Sequence, residues 1–470
     1  VAHDEFDVIV IGAGPAGENV ASRVVRGGLT AAVVENRLAG GECSYWACIP
    51  SKTLLRPLAL AAEVSRVPGM RLAAVDVDAV LRRRNEAISE LDDTGQVGWI
   101  EGLPARFIRG WGRLTSSRSV AVRRPDGQEL TLSARHAIVL ATGSTPIIPD
   151  IPGLAAARPW TNREITGADV IPERLIIVGG GAVACEMAQA MRGHGARQVT
   201  VLARGSLLRR AEPFAGELLA ETMLDAGIDV RLNAQVARVD RPEPGGEVTV
   251  HLADASCVEA NEILVAAGRK AASAGLGLEA VGLTPGSWLN VDDSLRAVDC
   301  PGGCLYAVGD LNGRSLLTHM GKYQARVCGD VLVARARGTD DTALSLRDHA
   351  HAYGAPYVLF TDPQVCSVGL TEAGARARGL RLRAVEYDLA GLAGTYVLGD
   401  NVRGRAKIVV DEDRRVVVGA TFVGPGTAEL LHAATVAVTS GITLDQLWHA
   451  VPAFPTVSEV WLRMLEAYGL

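Results

Sequence analysis

Two cysteines carry the most specific chemistry in this sequence. Cys43 and Cys48 stand in the run Gly40-Gly41-Glu42-Cys43-Ser44-Tyr45-Trp46-Ala47-Cys48-Ile49-Pro50-Ser51-Lys52. A dithiol of this kind can accept two electrons and pass them on by thiol–disulfide exchange. Five residues of regular helix advance about 7.5 Å, whereas a disulfide needs Cα atoms within about 7 Å. The pair therefore requires irregular backbone, which the glycines and Pro50 make available. The run Thr53 to Val64 reads as a helix, and a thiol at its N-terminus favours the thiolate form that exchange needs. Lys52 adds a positive charge close by. Two unrelated buried thiols are the alternative reading.

Two further segments must position this pair. Asp7 to Ile11 is an apolar β run followed by Gly12-Ala13-Gly14-Pro15-Ala16-Gly17 and a helical stretch. Leu175 to Val178 is a second such run, followed by Gly179-Gly180-Gly181-Ala182-Val183-Ala184 and another helical stretch. A β run follows each (Ala31 to Val34, Val199 to Leu202). Both read as strand, glycine turn and helix, so the chain is predicted to hold two βαβ nucleotide-binding units. The glycines let backbone approach a pyrophosphate, which the helix N-terminus then stabilises. The first unit ends its second strand in Glu35, an acid suited to ribose hydroxyls. The second has Ala203 there, followed by Arg204, Arg209 and Arg210. Guanidinium groups in place of an acid favour a ribose 2′-phosphate, hence NADPH over NADH. A solvated arginine cluster is the alternative.

Downstream, Ala137 to Leu140 runs into Ala141-Thr142-Gly143-Ser144 and then a proline-rich crossing (Pro146, Pro149, Pro152). Ile263 to Val265 leads to Ala266-Ala267-Gly268-Arg269, and Leu305 to Val308 leads to Gly309-Asp310. From about residue 345 strands and helices alternate in a third, α+β region. The expected fold class is α/β: two Rossmann-like nucleotide-binding domains plus a C-terminal α+β domain.

Composition narrows the function classes. A length of 470 residues suggests several domains, and 48% hydrophobic with 21% charged residues is the balance of a soluble globular protein. A net charge of −6 without a basic run argues against nucleic acid as a partner. No apolar run of about 18 residues occurs and the start, Val1 to Asp7, is polar, so no membrane contact and a cytoplasmic location are expected. Most of the eight cysteines are expected to be buried thiols rather than a disulfide framework.

With these motifs in place, the sequence resembles the FAD-dependent pyridine nucleotide–disulfide oxidoreductases over essentially its whole length. The family's redox segment matches Gly40 to Lys52. Its adenine-side motif matches Gly12, Gly14, Gly17 and Glu35, its A-T-G segment matches Ala141 to Gly143, and its second flavin motif matches Gly309 and Asp310. The resemblance implies that Asp310 binds the ribityl chain and that Lys52 lies near flavin N5, paired with Glu186. It makes Cys48 the flavin-facing thiol and Cys43 the interchange thiol. Further cofactor-binding candidates are Asn36, Gly112, Thr142, Thr318 and His319 for the flavin. For the nicotinamide nucleotide they are Gly179, Gly181, Ala184, Arg204, Arg210 and Gly268. The resemblance also assigns 1–150 with 272–344 to FAD, 151–271 to NAD(P)H and 345–470 to dimerisation. A homodimer is implied, and no metal site.

The pattern breaks near the C-terminus. The family's H-x-H-P-T-x-x-E segment, supplied by the partner subunit, is here Pro452-Ala453-Phe454-Pro455-Thr456-Val457-Ser458-Glu459. Phenylalanine cannot move a proton, and loss of a general acid–base costs about 10²–10⁴-fold. His449 or a desolvated Glu459 are candidate substitutes. The C-terminal cysteine pair of mercuric reductases is missing. Cys300 and Cys304, spaced C-x-x-x-C, have no third ligand nearby and read as loop and core thiols. Tyr45 and Trp46 either pack the core or wall a cleft for a flat substrate. The expectation is an NADPH-dependent flavoprotein that reduces a small-molecule or peptide disulfide, bulky or apolar. A quinone or diaphorase-type oxidoreductase and a low-turnover redox sensor are the alternatives.

Overall fold

Val8, Ile9, Val10 and Ile11 are all buried, as in a strand covered on both faces. In the computed structural model, which describes residues 2–71 and 74–470, they end strand β1 (Ala2–Ile11); Val1 of the polar start lies outside the described residues. Helix α1 (Pro15–Arg26) and strand β2 (Ala31–Glu35) complete the first βαβ unit. β1 pairs in parallel with β2 and with β3 (Glu129–Leu140), in the middle of a seven-stranded sheet. The short strand Leu305–Ala307 joins β3 in parallel. Along that same edge of β3, away from β1, Ser119–Arg123 and Trp111–Ser116 continue the sheet antiparallel. One face is covered by α1 and the helix Thr318–Arg337, whose Ala325, Cys328 and Val331 share a core with Val20, Ala21 and Val24.

The chain divides into two compact units. The first, with the sheet just described, comprises Val1–Pro50, Asn85–Pro146 and Arg269–Ala352. The second comprises Ser51–Arg84, Ile147–Gly268 and Tyr353–Leu470. It holds the other βαβ unit, β4 (Arg174–Val178), α-helix Ala182–Gly193 and β5 (Gln198–Leu202), within a four-stranded parallel sheet. It also holds a five-stranded antiparallel sheet in the order Tyr357–Leu359, Gln364–Gly369, Val416–Gly424, Arg405–Asp411, Leu382–Asp388. C-terminal helices cover that sheet around Phe422, Ala434 and Met464. The α/β class with two Rossmann-like sheets and an α+β end is therefore present. No helix among the described residues is long and apolar enough to cross a membrane.

One helix starts earlier than the sequence predicts. It runs from Cys48 to Arg66, taking in Pro50 and Lys52 ahead of the expected start at Thr53. Pro50 falls in the first turn, where its missing N–H has no intrahelical partner to lose. The expected helix Thr427 to Thr439 instead opens with a tight 3₁₀ turn, Thr427–Leu430, before Leu431–Ser440.

Candidate functional site

The backbone of the cysteine loop is irregular where the pair requires it. Gly40 and Gly41 both hold positive φ (102° and 61°), a conformation that costs glycine nothing. A single helical turn, α2 (Gly41–Tyr45), carries Cys43 and closes with the Trp46 N–H on the Glu42 carbonyl. The chain breaks at Trp46 and Ala47 before α3 (Cys48–Arg66) begins with Cys48 in its first turn. The two sulfurs lie within hydrogen-bonding reach and are not joined in a disulfide. That contact with Cys48, followed by burial, pushes the Cys43 thiol well above its ordinary range, against the opposing effects of Thr318 and Lys322. The N-terminus of α3 favours negative charge at Cys48. Cys48 Sγ and Thr318 Oγ1 are 3.4 Å apart and hydrogen-bonded. Tyr45 is 3% exposed, which makes it core packing, and Trp46 lies tilted against its ring at 5.7 Å.

This loop is pressed onto the first glycine turn. The Gly40 N–H donates to the Ala13 carbonyl at 2.7 Å, and a Cβ on Gly41 would fall 2.8 Å from the Gly14 Cα. Within the turn, a Cβ on Gly17 would meet the Gly12 oxygen at 1.8 Å. α1 has no side-chain cap at Gly14, so its first N–H groups are open to an anion. Glu35 accepts the Ala13 N–H (2.8 Å) and the Arg37 N–H (2.7 Å). Burial raises its carboxyl, and those N–H groups oppose the shift. Asn36 follows it on the surface, and Gly112 packs beneath, against Val34 and Ile11. Glu18, in the first turn of α1, has a buried Oε1 without a partner and is pushed up to about 7 by burial. Open N–H groups, Cβ-free backbone and an orphaned buried carboxyl oxygen fit a dinucleotide such as FAD.

Beside the first glycine turn, just past the end of β3, Thr142 Oγ1 donates to the Ala272 carbonyl, and Gly143 holds φ +74°. Asp310, its carboxyl raised chiefly by burial, accepts from Ser144 Oγ at 2.6 Å. Arg269 donates to Ser144 Oγ at 2.6 Å and to Glu42 at 3.1 Å. Glu42, Arg269, Ser144 and Asp310 thereby form one polar chain from the cysteine loop to the acid that follows Leu305–Ala307. Sequence reasoning missed Arg269, Ser144 and Glu42. The only signal was that Ser144 and Arg269 each end a motif already singled out. His319 stands beside Thr318 in the first turn of the helix Thr318–Arg337.

In the second unit, Glu186 is 4% exposed on the helix after the second glycine turn. Lys52 Nζ donates to it at 2.7 Å, and the Phe360 N–H donates to its other oxygen at 2.9 Å. The Lys52 ammonium also lies 5.2 Å from the centre of the Phe360 ring. Removing one partner of a buried pair leaves the other uncompensated. Since Lys52 is one-third exposed, Glu186→Gln is expected to cost about 1–3 kcal/mol, read as a lower urea midpoint. Adding Lys52→Met should recover part of the loss, whereas an unchanged midpoint in the single variant would count against the pair.

The second glycine turn repeats the first. Gly179 holds φ +142° with the Ala266 oxygen 2.3 Å from where a Cβ would stand, and Gly181 caps its helix without a side chain. Ala184 is buried one turn on, and Gly268 holds φ +128°. Arg204, Arg209 and Arg210 are exposed beyond β5, and none forms an ion pair among the described residues. These groups fit a second dinucleotide.

Residues 6–326 match the family described as pyridine nucleotide-disulphide oxidoreductase, and residues 355–465 match its dimerisation domain. The chain belongs to this family. Pyridine nucleotide–disulfide oxidoreductases are FAD-dependent and draw electrons from a pyridine nucleotide. Among its relatives is a dihydrolipoyl dehydrogenase of Chlorobaculum tepidum, 32% identical, covering 97% of this chain and 95% of that one. A mercuric reductase of Shigella flexneri is 31% identical over 98% of this chain and 79% of its own length. Among solved structures, LpdA of Mycobacterium tuberculosis covers 100% of both chains with a TM-score of 0.83 at 25% identity. The HOCl-induced flavoprotein disulfide reductase RclA of Escherichia coli shares the fold, with a TM-score of 0.83 at 24% identity.

Against this family background the C-terminal segment is distinctive. Phe454 is 74% exposed. Glu459 is buried on its own helix, with Oε1 bonded to Arg463 at 2.6 Å and Oε2 without a partner. Phe454, being exposed, does not desolvate it within this chain. His449 is exposed at the end of a short helix. Among the described residues no group of three or more His, Cys, Asp or Glu could hold a metal ion.

Proposed function

We propose that this oxidoreductase passes electrons from NADPH through FAD to the Cys43–Cys48 disulfide and on to a bulky or apolar disulfide substrate. The observation that carries this reading is the cysteine loop itself. Its two sulfurs are adjacent, one at the start of a helix, on backbone packed against the first glycine turn. In this reading residues 1–150 with 272–344 hold FAD, 151–271 hold NADPH, and 345–470 join two copies into a homodimer.

FAD, when bound, supplies the two-electron chemistry that connects nicotinamide to dithiol. The chain's own residues do the rest. The open N–H groups of α1 receive the pyrophosphate, Glu35 the adenine ribose, and Asp310, with Thr142, Gly143, Thr318 and His319, the remainder of the flavin. Cys48, hydrogen-bonded to Thr318, carries the negative charge, and Cys43 retains the proton until it attacks substrate. Glu186 fixes Lys52, one helical turn beyond Cys48.

The deciding experiment is anaerobic titration with NADPH, watching for a long-wavelength thiolate-to-flavin absorption band. The band is expected at two-electron reduction; its absence would remove Cys48 from its assigned place.

NADPH is preferred in this reading because three exposed guanidinium groups follow β5 with no acid in the ribose position. Charge-assisted hydrogen bonds contribute about 1.5–3 kcal/mol each. Arg204→Leu combined with Arg210→Ala should therefore lower kcat/KM for NADPH by about 10²–10⁴-fold. The value for NADH should move little, and equal losses would show a general defect instead.

The exposed Phe454 supports a second reading, in which the acceptor is a quinone-like molecule that needs no proton from the dithiol site. Comparing quinone and disulfide as oxidants of NADPH separates the two readings. Faster turnover with the disulfide supports the first.

A further inference from the structure

A second pair of thiols lies outside the machinery described above. Cys300 and Cys304 flank the sequence Pro301-Gly302-Gly303. The chain reverses here: Arg296 bridges Tyr306 in antiparallel fashion, and the Ala297 N–H donates to the Leu305 carbonyl at 2.9 Å. Proline followed by glycine at φ +83° has the sequence and backbone of a type II turn, and Gly303 continues it at φ +64°. Such a turn brings its ends, Cys300 and Gly303, within about 7 Å, and Cys304 follows Gly303 directly.

Both thiols bond to carbonyls of this turn. Cys304 Sγ donates to the Gly302 carbonyl at 3.0 Å and Cys300 Sγ to the adjacent Pro301 carbonyl at 3.6 Å. Burial and then the charge of Cys304 both raise the Cys300 thiol, so the sulfurs lie within electrostatic reach of each other. The residues 8% and 6% exposed are the cysteines, whereas Pro301 and Gly302 between them are on the surface. A thiol that merely fills a core needs neither a second thiol nor a glycine-rich reversal.

We propose that Cys300 and Cys304 are a reversible modification site that closes an internal disulfide across this turn when a small disulfide oxidises them. One thiolate attacks a sulfur of the oxidant RSSR and expels RS⁻, giving a mixed disulfide. The other thiolate then displaces the second RS⁻. Two protein thiols lose two electrons and two protons, and one RSSR becomes two RSH. The turn feeds the strand Leu305–Ala307, which runs on to Gly309 and Asp310. Closure therefore ties down the segment that delivers Asp310.

Cleavage after Arg296 and Arg314 releases both cysteines in one peptide, Ala297 to Arg314. The test treats the FAD-loaded enzyme, carrying Cys43→Ser and Cys48→Ser to silence the other pair, with glutathione disulfide, then iodoacetamide. Mass spectrometry should show this peptide two hydrogens lighter and unalkylated, and dithiothreitol should then open two alkylation sites. In Cys300→Ser the remaining Cys304 should instead carry glutathione or the alkyl group. Two alkyl groups before reduction, or glutathione held on the peptide that retains both cysteines, would overturn the proposal.

Discussion

Cys43→Ser is expected to lower NADPH-dependent reduction of a disulfide at least about 10³-fold while NADPH still reduces the flavin at its own rate. The split follows from the site. Serine keeps the packing of the α2 turn but cannot attack a disulfide sulfur, so everything after the flavin stops. Everything before the flavin depends on other residues. With Cys43 replaced no disulfide can form, so Cys48 should show its thiolate-to-flavin band without prior reduction. Stopped-flow absorbance follows flavin reduction and the band, and a steady-state assay follows the disulfide. Retained disulfide turnover would mean that Cys43 is not the interchange thiol.

The next largest effect separates the two nucleotide sites. Gly12→Ala places a Cβ 2.5 Å from the Ala141 oxygen, at φ +103°. Gly179→Ala places one 2.3 Å from the Ala266 oxygen, at φ +142°. The left-handed backbone alone costs an L-residue about 1–2 kcal/mol, and in both cases the clash is with backbone that cannot swing aside. Gly12→Ala should therefore purify colourless, with flavin affinity down about 10²-fold or more. Gly179→Ala should purify yellow but resist reduction by NADPH. Flavin absorbance per protein and the rate of its bleaching read the two apart. A colourless Gly179→Ala, or a yellow and reducible Gly12→Ala, would contradict the assignment of turns to cofactors.

How far the sequence alone reaches is clear from particular residues. Gly12, Gly17 and Gly179 were readable because a Cβ-free close approach is a local demand that only glycine meets. The break between Cys43 and Cys48 was readable because a regular helix cannot bring them together. The start of α3 was not, since Pro50 signals a break yet is tolerated in a first turn. The chain from Glu42 through Arg269 and Ser144 to Asp310 was illegible. Its partners lie 227 and 166 residues apart, and nothing local marks them as neighbours. Tyr45 could not be sorted between core and cleft from its spacing, because an aromatic between two cysteines fits either. Its burial decides for the core.

The gap at Trp46 and Ala47, between one turn of helix and the nineteen residues of α3, also has a mechanical meaning. It is a joint. Sulfurs that alternate between bonded and non-bonded distances must shift with every turnover. A continuous helix would carry that shift along its hydrogen-bond ladder. Here the displacement can be absorbed by the dihedral angles of a few loop residues. The dithiol can open and close many times while the helix that anchors it stays still.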